Sequence, residues 1–460
     1  MAADLYLKNG RFITESGEFQ GGVVVQGGKI TQVGGRDMVV TAHQEIDLNG
    51  KVVLPGLVDD HVHFNEPGRE HWEGYTTGSM AAAAGGITTV MEMPLNATPP
   101  TINLQHLQHK QTAVHHKAVV DYALWGGLVD NNVADLADLH AAGVIGFKGF
   151  MSSSGVDFAR IDDDVLYAGL REAARLGNLV AVHAENEYVT GLLGEELRAN
   201  GRTDRAAWHE SRPPAAELEA LKRAIYWAGV TNGRLHVVHV TLAEGMQAAK
   251  AAKEAGTHVT VETCPHYLYF DEADFVRIGP AAKCAPPLRH RAEVEALWNC
   301  VLNGLVDTIA SDHSPCPWAD KEPGLDNIWQ AWGGISGVQT MLPVLLTEGV
   351  HQRGLTLPQL ARLTSANPAR IFGLYPRKGS LLPGADADLV VVDLDAEWEL
   401  SANDLFYKHK HSAYVGRRFK GKVEQTWVRG KLVYANGRIC AEPGYGQFLR
   451  RNKFERHEVG

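Results

Sequence analysis

Residues 54–68 read LPGLVDDHVHFNEPG, and the interpretation of this stretch decides how the rest of the chain is organised. Val52 to Val58 is an apolar run of the kind buried on both faces of a parallel sheet, and carboxylates and two histidines, His61 and His63, follow it. A strand sends alternate side chains to one face, so both imidazoles are expected to point the same way. Two neutral imidazole nitrogens converging at the carboxyl end of a buried strand suit a zinc-like divalent ion. The competing reading is a pair of hydrogen-bonded histidines at the start of a loop, and only the later chain decides between the two.

Composition narrows the field. The chain has 460 residues, 45% of them apolar and 21% charged, which describes a globular protein of one large domain with a satellite, or of two to three ordinary domains. Lys and Arg number 44 against 54 Asp and Glu, a formal charge of −10 spread without long single-sign runs, so neither nucleic acid nor a membrane surface is an expected partner. A small-molecule substrate is. The opening MAADLYLKNG has neither the basic nor the apolar region of a secretory leader, and no segment approaches the length of a membrane helix, so a cytoplasmic location is expected. Cys264, Cys284, Cys300, Cys316 and Cys440 are too scattered for a disulfide framework or a paired-cysteine zinc site; most are expected to be reduced and buried.

Both ends of the chain share one texture. Short alternating segments (Leu5–Lys8, Gly22–Val25, Ile30–Val33) punctuated by Asn9-Gly10, Gly21-Gly22 and Gly27-Gly28 predict hairpins, and similar segments return at Asp388–Asp393, Gln425–Arg429 and Lys431–Tyr434. Neither set alone holds enough strands for a stable sheet, so a small composite β-sandwich domain built from residues 1–52 and 376–460 is expected. Residues 53–375 then form an insertion in which strands and helices alternate. Strand ends fall near His61, Met93, Leu128, Met151, Glu185, Val240, Cys264 and His313, with helices over Gly74–Ala84, Asn103–Lys117, Asp163–Leu176, Ala215–Ala228 and Ala243–Ala255 between them. Eight such units predict an α/β fold of the (β/α)8 TIM-barrel type, and no GxGxxG opens a helix as a dinucleotide fold requires. Barrel chemistry sits at the carboxyl ends of the strands.

Those ends carry an unusual set. Lys148 lies in the apolar run VIGFKGF, where a bare ammonium is costly; a lowered pKa, an acidic partner, a covalent change or a snorkelling side chain would each resolve the cost. His183 ends strand five, His239 ends strand six, and Asp312 ends strand eight with His313 after it. His236, three positions before His239, is expected on the opposite face. Glu185, His266 and His313 read as satisfied polar residues, and His106, His109, His115 and His116 as solvated ones. Two ions sharing a water near neutral pH, with Asp312 moving its proton, would make a hydrolytic centre.

The motifs PGLVDDHVH, GITTVMEMP, GFKGF, VHAEN, CPHYL, KCAPPLR, SDHSP and KGSLLPGADADLVVVD resemble the amidohydrolase superfamily, in its branch of dihydroorotases, hydantoinases and allantoinases. The resemblance spans almost the whole chain. It implies His61, His63, Lys148 and Asp312 on one divalent ion and Lys148, His183 and His239 on a second, with Lys148 carboxylated on its amine. The metal it implies is zinc, with cobalt, nickel and manganese as alternatives, and the assembly a homotetramer.

Within the branch, dihydroorotases read HxHLREPG and grip a ring carboxylate through the arginine, whereas this chain reads HVHFNEPG with Asn65 at that place. Hydantoinases place a tyrosine a few residues past the modified lysine; here Ser152, Ser153 and Ser154 stand there. EPGREHWEG, EMPLN, AWGGISGVQ and YKHKHSAYVGR resemble the allantoinase group, which implies opening of the hydantoin ring of allantoin to allantoate. Asn96 and Cys284 are candidates for holding the ring, with ordinary loop residues as the alternative.

Overall fold

Gly56 parts two sheets. Before it, Val52–Pro55 pairs antiparallel with Leu389–Glu399; after it, Leu57–Val62 opens a parallel ladder with Ile87–Glu92. A side chain at residue 56 would run into Thr88 of the neighbouring strand, so the crossing needs glycine. The computed structural model describes residues 2–451.

The barrel strands are Leu57–Val62, Ile87–Glu92, Asp121–Leu124 continued by Gly126–Gly127, Phe147–Phe150, Leu179–His183, Arg234–Val237, Val259–Thr263 and Thr308–Ile309. All neighbours are parallel. The ring closes where Val62 bridges His313, His63 N–H donating to the His313 carbonyl at 2.8 Å. This is the (β/α)8 barrel, with the eighth strand shortened to two residues because residues 310–312 leave the ladder to enter the barrel mouth.

Each crossover returns by a helix whose apolar stripe covers the strands. Asp163–Leu176 buries Val165, Leu166, Gly169, Leu170 and Ala173, a helical spacing, and stops at Gly177 in the left-handed region (φ 67°). Truncating Leu170 to alanine would cost about 2–5 kcal/mol through the cavity left behind. Leu104–Val114 is shorter than the expected Asn103–Lys117 because Asn103 caps it, accepting from His106 N–H at 2.9 Å. The lumen is filled from below by residues such as Met91, Trp125, Ile145 and Phe372, with Trp125 Nε1–H anchored on the Asp60 carbonyl at 3.1 Å.

The terminal segments join in one nine-stranded sheet. Its order runs Arg438–Ile439, Lys431–Ala435, Arg418–Val428, Leu389–Glu399, Val52–Pro55, Ala3–Thr14, Gly17–Gln26 and Lys29–Gly35, with Ala42–Asp47 also on Ala3–Thr14. The β domain is therefore built from both ends of the chain, and Val52–Pro55 and Leu389–Glu399 form its seam.

Candidate metal centre

His61 and His63 stand at the end of the first strand and converge on one carboxylate. His61 Nε2 lies 3.2 Å and His63 Nε2 3.4 Å from Asp312 Oδ1. Asp312 adopts φ 42°, a left-handed conformation that turns its carboxylate in toward the histidines. Burial opposes its ionisation, but the charge of His61 and the hydrogen bond to His63 hold it well below the usual carboxylate range. On the far side of the mouth, His183 Nδ1 and His239 Nε2 face each other at 2.9 Å. Two imidazole nitrogens this close need either a proton on one of them or a cation nearby. The rings of His61 and His239 lie 5.6 Å apart, so the two pairs share one chamber.

Lys148 sits between them on the fourth strand, fully buried, its Nζ without a hydrogen-bond partner among the described residues and 5.0 Å from the Phe150 ring. Burial lowers its pKa to about 8, against the pull of Glu262 and Asp312. His63 is lowered to about 4 and His239 well below its ordinary value, in each case chiefly by burial, with the Lys148 charge adding to it. Neutral imidazoles are the metal-binding form. His63 Nδ1 and His239 Nδ1 are buried and partnerless as well. Four imidazoles, one ionised carboxylate and an orphaned amine fit a site for divalent ions; His61, His63 and Asp312 hold ligand atoms within 4.8 Å of one another.

The chamber opens into a cavity of about 90 Å³. Asn96 and Cys284 both line it. Burial pushes the Cys284 thiol up to about 12, so it stays protonated and is no nucleophile. Ser153 and Ser154 line it in place of a hydantoinase-type tyrosine, and Ser154 Oγ–H donates to the Phe158 carbonyl at 2.9 Å. Asn65 does not line it. Fully buried with φ 66°, it reaches the Pro315 carbonyl at 3.4 Å, so the position at which dihydroorotases carry their arginine does not reach the cavity here.

The expected orientation of His236 is corrected too. Strict alternation puts His236 and Val238 on the lumen side and His239 outside, but φ 43° at His239 breaks the alternation and brings His239 inward as well. His236 Nε2 lies 3.3 Å from Glu262 Oε2, and Glu262 Oε1 faces His61 Nδ1 at 2.9 Å and accepts from His239 N–H at 3.1 Å. Glu262 is the main residue that motif reasoning passed over. It is a carboxylate inside the strand VTVET, fully buried, and the cost that drew attention to Lys148 would have found it. Glu185 is more than a satisfied polar residue: it faces His183 Nε2 at 2.8 Å and is itself paired with Arg212, which fixes the His183 ring. His313 holds Gly337 N–H on Nδ1 at 3.1 Å, outside the cavity wall. His266 is buried with both ring nitrogens unpartnered. Four cysteines are buried, Cys440 is exposed, and all five are free.

Comparison with known proteins agrees with this architecture. The sequence is 50% identical to an allantoinase of Rubrobacter xylanophilus over 95% of this chain and 98% of the relative, and 44% identical to an allantoinase of Deinococcus radiodurans over 98% and 99%. The structure is similar to that of the L-hydantoinase (dihydropyrimidinase) from Arthrobacter aurescens, with a TM-score of 0.95 and 37% identity over 98% of this chain and 100% of the other. Residues 52–433 match the amidohydrolase family, and with a barrel mouth of this composition the chain belongs to it.

Proposed function

We propose that the protein is a metal-dependent cyclic amidase, an allantoinase, that hydrolyses the hydantoin ring of allantoin to allantoate. The observation that carries the chemistry is the convergence of two histidine pairs and Asp312 around a buried, partnerless Lys148 amine. The choice of substrate rests on relatives named allantoinases at 41–50% identity over nearly the whole chain.

In this reading His61, His63, Lys148 and Asp312 hold one divalent ion and Lys148, His183 and His239 the other. Zinc suits this mix of imidazole and carboxylate; cobalt, nickel and manganese are the alternatives. When bound, such a pair lowers the pKa of water toward neutrality and polarises the amide carbonyl. Lys148 serves as a carbamate: its neutral amine adds carbon dioxide, releases a proton and becomes an anion with two oxygens, which suits two cations where an ammonium does not. The lowered pKa of the lysine supplies the neutral amine.

Asp312, 13% exposed at its side chain and open to the cavity, takes the proton of the attacking water and returns it to the departing ring nitrogen. Glu185 and Glu262 hold the His183 and His61 rings in place. Asn96 and Cys284 contact the ring of the substrate. Steady-state turnover of allantoin, hydantoin and dihydroorotate tests the assignment, and hydantoin turnover without allantoin turnover would favour the second reading, a hydantoinase, to which the structural similarity points.

The same proposal divides the chain into a terminal domain, residues 1–52 with 376–460, and a barrel, residues 53–375; the separate ladders support the division but put Val52–Pro55 on the terminal side of it. It also makes the enzyme a cytoplasmic homotetramer acting on a small molecule. Free cysteines suit a reducing compartment, and exposed Tyr188, Leu192, Tyr226 and Val230 on the outer helices supply apolar surface for subunit contact. Sedimentation analysis checks the subunit count. Among the described residues no helix is long and apolar enough to cross a membrane.

A further inference from the structure

Outside the barrel mouth, His209, Glu272 and His290 place one ligand atom each within 4.8 Å of one another. They come from three elements: the helix Arg205–Glu210, the first residue of the helix Glu272–Ile278, and the residue that precedes the helix Arg291–Leu302. The Glu272 carboxylate stands between the imidazoles, with His209 Nδ1 at 3.2 Å from Oε1 and His290 Nδ1 against Oε2. Ligands at 2.0–2.2 Å around a tetrahedral ion stand about 3.3–3.6 Å apart, close to the spacing of the first pair.

We propose that His209, Glu272 and His290 form a third, peripheral site for a divalent transition-metal ion of the zinc class. Two imidazoles and one carboxylate select such an ion over magnesium or calcium, which take oxygen ligands. His209 Nε2 is buried without a partner, so Nδ1 is the nitrogen that faces the ion. Burial, with the charges of Arg289 and His290, lowers His209 to about 4 and keeps the ring in the ligating form. His290 is 63% exposed at its side chain, which leaves a solvent-facing position for water as fourth ligand.

The site is linked to the cavity through short paths. Trp208, adjacent to His209, donates Nε1–H to the Cys284 carbonyl at 2.8 Å, and residues 283–290 run from that cavity wall to His290. Arg212, one turn past His209, is the partner of Glu185 behind His183. An ion here ties the helix Arg205–Glu210, which carries Trp208, to the end of the 283–290 segment, and so acts as a structural staple on stability and not on the reacting atoms.

The test is metal counting on the holoenzyme, incubated with zinc chloride and freed of loose ion by gel filtration. Wild-type protein is expected to carry one zinc equivalent per chain more than His290→Ala and Glu272→Gln, and added zinc to raise its Tm while leaving that of both variants unmoved. Turnover of the variants is expected to stay within twofold of wild type, which separates this site from the barrel centre. Equal zinc content in all three proteins, or a deficit in the variants that is accompanied by lost turnover, would overturn the proposal.

Discussion

Asp312 joins two demands at one residue. It contacts both His61 and His63 and opens to the cavity, from a backbone conformation that a non-glycine residue adopts at a cost of about 1–3 kcal/mol. Under the proposed mechanism Asp312→Asn would keep an oxygen for the ion but remove the proton carrier, and kcat is expected to fall on the order of a thousandfold, read by steady-state kinetics at matched metal content. On the proposed carbamate, Lys148→Ala would remove the group that holds both ions and is expected to abolish metal pairing and turnover, with partial recovery in added acetate, a carboxylate that fills the gap. Full activity of that variant without acid would refute the carbamate. At position 65 the structure redirects the experiment: Asn65→Arg inserts a long cation into a fully buried left-handed position, so a lowered Tm is expected, without dihydroorotate turnover.

At the scale of elements, the lumen strands and one loop shape the site. Glu262, on the seventh strand, serves His61, His236 and the His239 backbone at once, and although burial opposes its ionisation, the nearby His61 and His236 hold it below the usual carboxylate range. Glu262→Gln loses the charge that orients His61, and metal affinity is expected to drop about 10–100-fold in chelator competition. The loop after the eighth strand is held by two buried lysines with no carboxylate partner among the described residues. Lys283 Nζ donates to the carbonyls of Ile328 at 2.8 Å and Ala331 at 2.6 Å, and Lys321 Nζ to those of Trp332 at 2.8 Å and Gly334 at 2.6 Å. Trp332, Gly333 and Gly334 form part of the cavity wall. Lys321→Met leaves two carbonyls unsatisfied, each worth about 1–3 kcal/mol, and is expected to raise KM for allantoin more than it lowers kcat.

For the whole molecule, one buried cation locks barrel to terminal sheet. Lys378 is fully buried and meets Asp121 of the third barrel strand at 2.5 Å, Asp386 at 3.0 Å and Asp388 at 2.8 Å, beside the seam strand Leu389–Glu399. Arg429, Arg377 and Lys29 complete the pairing of these carboxylates. Removing the central cation strands buried negative charge, so Lys378→Met is expected to destabilise the protein by about 3–5 kcal/mol, seen as a lowered Tm with the metal content held constant.

Much of this was legible locally. Apolar runs ending in His61, Lys148, His183, His239 and Asp312 mark strand ends whatever their neighbours are, because burial of a strand and the cost of a polar group at its end are properties of a short segment. The alternating segments at both termini likewise announced a shared sheet, since neither set suffices alone. What only the tertiary structure decided is where those side chains point and what stands behind them. The left-handed backbone at His239 and Asp312 breaks the alternation from which orientation is read, and although histidine and aspartate tolerate that region better than most residues, packed surroundings are needed to hold it. Glu262 acts on His61 from the far end of the barrel sequence, Glu185 is paired with Arg212 of a later element, and the opposed His183 and His239 nitrogens exist only once strands five and six are adjacent. Sequence thus determined which residues reach the barrel mouth, and the closure of the barrel determined which of them meet, because distance between side chains on different strands is set by ladder register and not by spacing along the chain.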